Sequence, residues 1–228
     1  MKILITGHVG HIGKGIYSTL IDAGYEVIGY DITEGDNVLD YPNLLKKMQG
    51  CEQVIHLAGI PHPILKLPFK NYFDLNVVGT HNVMMAAEEC KVKRVIFFSS
   101  FAYYGIDLDV IPVNGYDNPV KETDLPPSIN WKPKYKEKDG MAFHYVQTKL
   151  ICEAIVKYYG IKEICEVIIF RPPSFGCIFK GKYGVKAETV NHYVKKAVEY
   201  KNKIKLEPFN LCDQKEHMKK TEKWFGEK

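Results

Sequence analysis

The chain has 228 residues, 46% of them hydrophobic and 25% charged, with a formal net charge of +4. This is the composition of an ordinary globular protein, ample for one core and a small second lobe. The charge excess is mild and its lysines are scattered, densest in the last forty residues; with no RNA- or DNA-binding motif beside it, nucleic acid is not an expected partner.

The six cysteines show no CxxC spacing and no Cys/His cluster at metal-ligand intervals, so no metal site is expected. Cys51 opens a strand and Cys152 falls in a helical pattern, which favours reduced, partly buried thiols. The first residues read as a core strand rather than a signal peptide, and no apolar run reaches membrane-spanning length. The expected compartment is the cytoplasm, with no membrane partner.

The first element is an apolar run at 2–6, read as a buried strand. A glycine turn follows at once, with Gly7, Gly10 and Gly13 in the spacing TGxxGxxG, and then a helical pattern with Ile12, Ile16 and Leu20 on one face. Gly24 stops the helix, and 25–30 reads as a second strand ending at Asp31. Strand, glycine turn, helix, strand and terminal acid make a dinucleotide-binding unit. Gly7 permits the tight turn, Gly10 lets backbone approach a pyrophosphate, and Gly13 lets the helix pack closely on the sheet. The helix N-terminus presents N–H groups and a positive dipole end to the phosphates. Asp31 lies near the expected interval of about 20 residues beyond the glycines. A carboxylate there accepts hydrogen bonds from both ribose hydroxyls of NAD and repels the 2′-phosphate of NADP; no arginine follows it.

A polar turn, a helix over 42–48 and a third strand over 51–57 come next. A proline-marked loop precedes a long helix over 69–89, and an almost uninterrupted apolar run at 92–99 forms a fourth strand, suited to burial on both faces. Residues 105–141, rich in Pro, Gly, Asn and Asp, are too long for a plain connection and read as an active-site excursion. Helix returns over 143–159, a fifth strand over 163–170, a helix over 187–200, a short strand at 204–206 and a charged helix over 213–225 with few core residues. Alternating strands and helices predict an α/β fold of the Rossmann type, a doubly wound parallel sheet.

The helix at 143–159 carries Tyr145 and Lys149, four apart and so on one face. A lysine beside a phenol favours the phenolate: a free tyrosine titrates near about 10, and an adjacent cation lowers an acid by about 1–3 units. Tyr145 is thereby a candidate acid or base. The spacing alone is cheap, since Tyr158 and Lys162 share it. Ser99 and Ser100 end the fourth strand, on the side of a parallel sheet where ligands bind; strand-end capping is the competing reading.

Taken in order, TGxxGxxG, HLAG at 56–59, NVVGT at 76–80, SSFAYYG at 99–105, YVQTK at 145–149 and RPPS at 171–174 resemble the extended short-chain dehydrogenase/reductase superfamily in its NAD-dependent epimerase/dehydratase branch. The resemblance runs from residue 1 to about 178. It implies that Gly7, Gly10, His11, Ile12 and Gly13 hold the pyrophosphate of NAD, Asp31 the adenosine ribose, and Asn37 and Val38 the adenine. Leu57, Ala58 and Gly59 would line the path to the nicotinamide ribose, with Asn76 as the family asparagine and Ser99 beside the cofactor. Ser100, Tyr145 and Lys149 match the catalytic triad, with Tyr145 and Lys149 also cofactor-binding, Lys149 through the nicotinamide ribose; Pro172 and Ser174 would lie near nicotinamide and substrate. The implied activity is hydride transfer between NAD and a hydroxyl-bearing carbon of a sugar or nucleotide-sugar, by an oxidoreductase or epimerase. The implied assembly is a homodimer through the helices near 70–89 and 143–159.

His11 departs from the apolar residue usual in that turn. The segment at 99–105 lacks the Thr-Asp-Glu series of the dehydratases. Ser174 with Phe175 and Gly176 stands nearer to uronate dehydrogenase relatives, which release NADH. The chain is also short for the family. The expected division is an NAD-binding domain at 1–178, with its excursion at 105–141, and a reduced substrate-side lobe at 179–228 lacking the last sheet strand. A cofactor-binding protein without turnover is the competing class.

Overall fold

A computed structural model describes residues 1–61, 67–104, 121–124, 141–173 and 184–228. Within them the elements are β1 (Lys2–Thr6), α1 (Gly13–Asp22), β2 (Glu26–Tyr30), α2 (Tyr41–Met48), β3 (Gln53–His56), α3 (Phe69–Tyr72), α4 (Gly79–Glu89), β4 (Arg94–Phe98), α5 (Met141–Ile161), β5 (Glu166–Arg171), α6 (Ala187–Glu199), β6 (Leu206–Asn210) and α7 (Lys219–Phe225). The described strands form one sheet in the order β2-β1-β3-β4-β5-β6, each neighbouring pair parallel.

Side-chain alternation explains why the sheet is covered twice. Ile3 and Ile5 of β1 point to one face, with Ile16 and Leu20 of α1 and Val190, Tyr193 and Val194 of α6. Leu4 points to the other, with Leu44 of α2, Val83 and Met84 of α4, and Cys152 and Val156 of α5. Helix α1 ends as a glycine was expected to end it. Gly24 has φ +83°, its N–H donates to Ile21 O at 2.8 Å, and the Tyr25 N–H reaches Leu20 O at 3.1 Å. That is a Schellman cap, which needs the left-handed residue.

The long helix expected over 69–89 is present with one irregularity. Phe73–Val78, between α3 and α4, is a π-helical stretch. Such widened turns concentrate at functional sites, and this one contains Asn76.

The tail differs from expectation. Strand β6 pairs in parallel with β5 from Val167↔Leu206 to Arg171↔Asn210, so the short strand expected at 204–206 lies a little later and is longer, and it joins the sheet. Helices α6 and α7 share one core with β1 and β5. The charged sequence of α7 concealed this. Its Thr221 hydroxyl donates to Asn210 O at 2.6 Å, and the Phe225 ring lies 4.9 Å from that of Phe209. Pro208 is tolerated because β6 is an edge strand of the described sheet. The excursion lies outside the described residues apart from 121–124 and its last residue, 141, which begins α5. No helix among the described residues is long and apolar enough to cross a membrane.

Candidate cofactor and catalytic site

The chain crosses from β2, on one side of β1, to β3 on the other. That reversal opens a crevice at the C-terminal ends of β1 and β3, the usual ligand position in such sheets. The glycine turn lies there. Gly7 has φ +76°, and a Cβ on it would stand 2.8 Å from the Ala58 N, so the turn and the Leu57–Ala58 backbone touch directly. A Cβ on Gly13 would meet Gly7 O at 2.1 Å, which is why α1 starts so close to the strand. The first turn of α1 has no side-chain cap, leaving its N-terminal dipole for a ligand. Ile12 occupies the N-cap position, and His11 is exposed on the same turn.

Asp31 closes the turn from the β2 side. One carboxylate oxygen accepts from Thr33 N at 3.0 Å and Thr33 Oγ1 at 2.8 Å; the other accepts from Val9 N at 3.2 Å. Burial opposes its charge, but these bonds and the nearby His8 outweigh it and hold the carboxyl below its ordinary value. Asn37 turns its side-chain oxygen back to Leu39 N at 2.9 Å, and Val38 is buried with its carbonyl held by Asn82 Nδ2 at 3.0 Å. Gly59 has φ +149° and a Cβ there would touch Asn76 Oδ1 at 2.7 Å. Asn76 itself is buried, accepting from Ile60 N at 2.7 Å and donating to Thr148 Oγ1 at 3.1 Å.

Tyr145 and Lys149 come together as the helical spacing requires. The Lys149 Nζ lies 5.7 Å from the Tyr145 ring centroid and 5.5 Å from that of Phe97, and donates to Phe98 O at 3.1 Å. Burial pulls the Lys149 amine below its ordinary value, against the opposing influence of Cys152 and Glu153. Tyr145 is buried in a small cluster with Ile60, Tyr72, Ala102 and Val146. Ser100 belongs to the same corner: its Oγ accepts from Ala102 N at 3.1 Å. The Ser99 N–H donates to Phe170 O at 2.8 Å, and Pro172 O accepts from Phe101 N at 2.9 Å, so the ends of β4 and β5 are tied together. Ser174 lies outside the described residues. The second pair of equal spacing does not form a comparable face: Tyr158 is exposed and Lys162 lies past the end of α5.

Two groups of residues escaped the sequence reading. His8 lies over Gly29, where a Cβ would stand 2.4 Å from its ring, and its Nε2 is 3.4 Å from Glu34 Oε2. A glycine inside strand β2 was the available signal. The second group is buried and polar: Thr6, His56, Thr80, Cys152 and, beyond them, Glu153 and Arg171. A threonine or histidine ending an otherwise apolar strand marks such a position, but not its partner.

The model of the NAD dependent epimerase/dehydratase family matches residues 3–207. UDP-glucose 4-epimerase of Halalkalibacterium halodurans is 27% identical over 186 residues, covering 72% of this chain and 49% of that protein. UDP-glucose 4-epimerase of Rhizobium meliloti is 25% identical over 216 residues, covering 87% and 59%. The chain thus spans about half the length of the curated relatives it matches. Among solved structures, UDP-glucuronic acid 4-epimerase from Bacillus cereus in complex with NAD superposes with a TM-score of 0.71 at 21% identity, over 94% of this chain and 79% of that one. A short-chain dehydrogenase/reductase superfamily protein from Agrobacterium tumefaciens with bound NAD gives 0.74 at 19% identity, over 93% and 77%. These two likenesses are of fold; the family match runs through the glycine turn, the tyrosine–lysine pair and into the start of β6, and by it this chain belongs to the NAD-dependent epimerase/dehydratase family.

Proposed function

We propose that the chain binds NAD and moves hydride between it and a hydroxyl-bearing carbon of a sugar or nucleotide-sugar, as an oxidoreductase or epimerase. The observation carrying this reading is the Lys149 amine beside the Tyr145 ring, at the strand ends that also bear the glycine turn and Asp31. The residues fit the cofactor. The bare Gly7 lets the turn lie directly against the Leu57–Ala58 backbone, α1 begins uncapped, and Asp31 is held as a carboxylate with a lone pair left on Oδ2 for a ribose hydroxyl. Bound NAD would supply the hydride acceptor and donor.

The chain's own residues then divide the work. Gly7, Gly10, His11, Ile12 and Gly13 hold the pyrophosphate, Asp31 the adenosine ribose, Asn37 and Val38 the adenine. Leu57, Ala58, Gly59, Asn76, Ser99 and Pro172 line the path toward the reacting end. Tyr145 takes the proton of the substrate hydroxyl as its carbon is oxidised and returns it on reduction. Lys149 favours the phenolate, and Ser100 Oγ orients the hydroxyl. Ser174 is assigned to the substrate side.

Titration with NAD and NADP tests the cofactor reading. NAD is expected to bind more tightly, and Asp31→Asn to weaken NAD and narrow the gap; tighter NADP binding by the native chain overturns it. NAD-loaded protein incubated with UDP-hexoses, UDP-uronates and free uronates tests the chemistry. Epimer products identify an epimerase, NADH release a uronate-type dehydrogenase, and NAD binding without turnover a sensor or subunit. Tyr145→Phe is expected to abolish turnover while NAD binding persists.

A homodimer through α4 and α5 is part of the proposal. Met84 is fully buried in the chain's own core, which leaves the partly buried Met85, Ile151 and Ile155 for a partner copy. Light scattering after size exclusion reads the state directly. The free thiols Cys51, Cys90, Cys152, Cys165 and Cys212 favour a reducing cytoplasm.

A further inference from the structure

Behind the Tyr145 corner runs a buried chain of hydrogen bonds whose direction can be worked out. Thr6 Oγ1 accepts from Ala58 N at 3.3 Å and, also at 3.3 Å, from a Leu57 N–H that it shares with the Thr6 carbonyl at 3.0 Å. Its lone pairs are therefore used, and its own proton goes to His56 Nδ1 at 2.7 Å. The neutral His56 ring then carries its proton on Nε2 and donates to Thr80 Oγ1 at 3.0 Å. The Thr80 hydroxyl donates to Cys152 Sγ at 3.5 Å, and the Cys152 thiol donates to the Asn76 carbonyl at 3.2 Å. From Asn76 the side chain carries on: Nδ2 donates to Thr148 Oγ1, which donates to the Tyr145 carbonyl at 2.9 Å.

Every side-chain donor in this series has one acceptor, and its first member is held by backbone N–H groups that cannot reverse. A series so fixed does not relay protons. It transmits position, from the strand that leads into the glycine turn, through the π-helical stretch, to the first turns of α5.

We propose that Thr80 and Cys152, with His56 behind them, are positioning residues that set Tyr145 against Lys149 and the cofactor turn. The role of Tyr145 as proton acceptor rests on the function proposed above; its placement by Thr80 and Cys152 does not.

The test uses the full chain labelled with 3-fluorotyrosine, the Tyr145 resonance being assigned by its loss in Tyr145→Phe. Cys152→Ala and, independently, Thr80→Val are expected to move that resonance and its pH titration, with NAD affinity unchanged. Cys152→Ser and Thr80→Ser, which keep a donor and an acceptor, are expected to restore both. Where a substrate has been found, Cys152→Ala is expected to lower kcat roughly tenfold with KM little changed, the scale of loss that a misplaced reacting group produces. A Tyr145 resonance and titration identical to the native ones in both Cys152→Ala and Thr80→Val overturns the proposal. A failure to turn over any sugar, with the resonance moved by Cys152→Ala and restored by Cys152→Ser, overturns the functional reading and leaves the positioning role standing.

Discussion

Two buried polar networks meet on α5, and they are built on opposite principles. On the β1–β3–α4 side, Thr6, His56, Thr80 and Cys152 are neutral and linked one donor to one acceptor. On the β5–β6 side the links are charged. Arg171 forks onto Glu153 with bonds of 2.8 and 2.7 Å, donates to Tyr104 Oη at 2.7 Å, and lies 3.8 Å from the Tyr103 ring centroid. Lys157 adds a contact to Glu153 at 3.0 Å, Tyr104 donates to Asn210 Oδ1 at 2.8 Å, and Glu122 Oε1 accepts from Asn210 N at 2.9 Å. Burial works against the Glu153 charge, yet Arg171 and Lys157 hold its carboxyl below the ordinary range. Adjacent residues of one helix, Cys152 and Glu153, thus serve a corner that must hold a geometry and a corner that must neutralise charge. The first network lies behind the proposed chemistry; the second holds the sheet edge, α5 and segment 121–124 together.

The comparison breaks most visibly at Arg171. Arg171→Met is expected to destabilise by about 3–5 kcal/mol, because it strands a buried carboxylate. Adding Glu153→Leu is expected to recover most of that loss, since a buried ion pair seldom outperforms well-packed apolar groups. Urea unfolding of the two variants measures both. No such recovery is expected in the neutral network, where the directional links themselves matter.

A pH series sharpens the contrast at His56. Burial, and then the Lys149 charge, lower its pKa to about 3 from an ordinary 6.5. The unfolded chain therefore takes up a proton below about pH 6.5 that the folded chain refuses until about pH 3. Stability falls as pH drops through that window, by at most about 1.4 kcal/mol per pH unit from this one group. His56→Gln is expected to show a shallower loss between pH 6.5 and 3 than the native chain, and no difference in slope above pH 7.

The smallest effect is expected at Glu122. Burial raises its pKa, although Asn210 N, Lys220 and Arg171 oppose the shift. Here the folded state binds the proton more tightly, so stability declines as pH rises above the ordinary carboxylate value of 4.5. Glu122→Gln is expected to match the native chain at pH 4 and to be slightly more stable at pH 7, by thermal melts in parallel.

How far these networks could be read from the sequence follows from their geometry. Gly7, Gly13 and Asp31 lie close along the chain, and Tyr145 and Lys149 share one helix, so local spacing revealed them. Thr6 and His56 are 50 residues apart, and Thr80 and Cys152 are 72 apart. Nothing local links such partners until the sheet order is known. The tail failed for another reason. On α7 the buried Thr221 and Phe225 are joined at β6 by Trp224 and by the Lys220 amine, a mixture that makes no apolar stripe.

The π-helical stretch at Phe73–Val78 also constrains how this helix can change in length. A widened turn of this kind takes up one residue more than the α-helical turn it replaces, so removing one residue there and restoring regular α geometry would leave α3 and α4 facing as they do. The same deletion inside α4, where each residue advances about 100°, would instead turn Tyr72, fully buried beside Tyr145, away from the core. A one-residue deletion between 73 and 78 is therefore a milder change than the same deletion within α4.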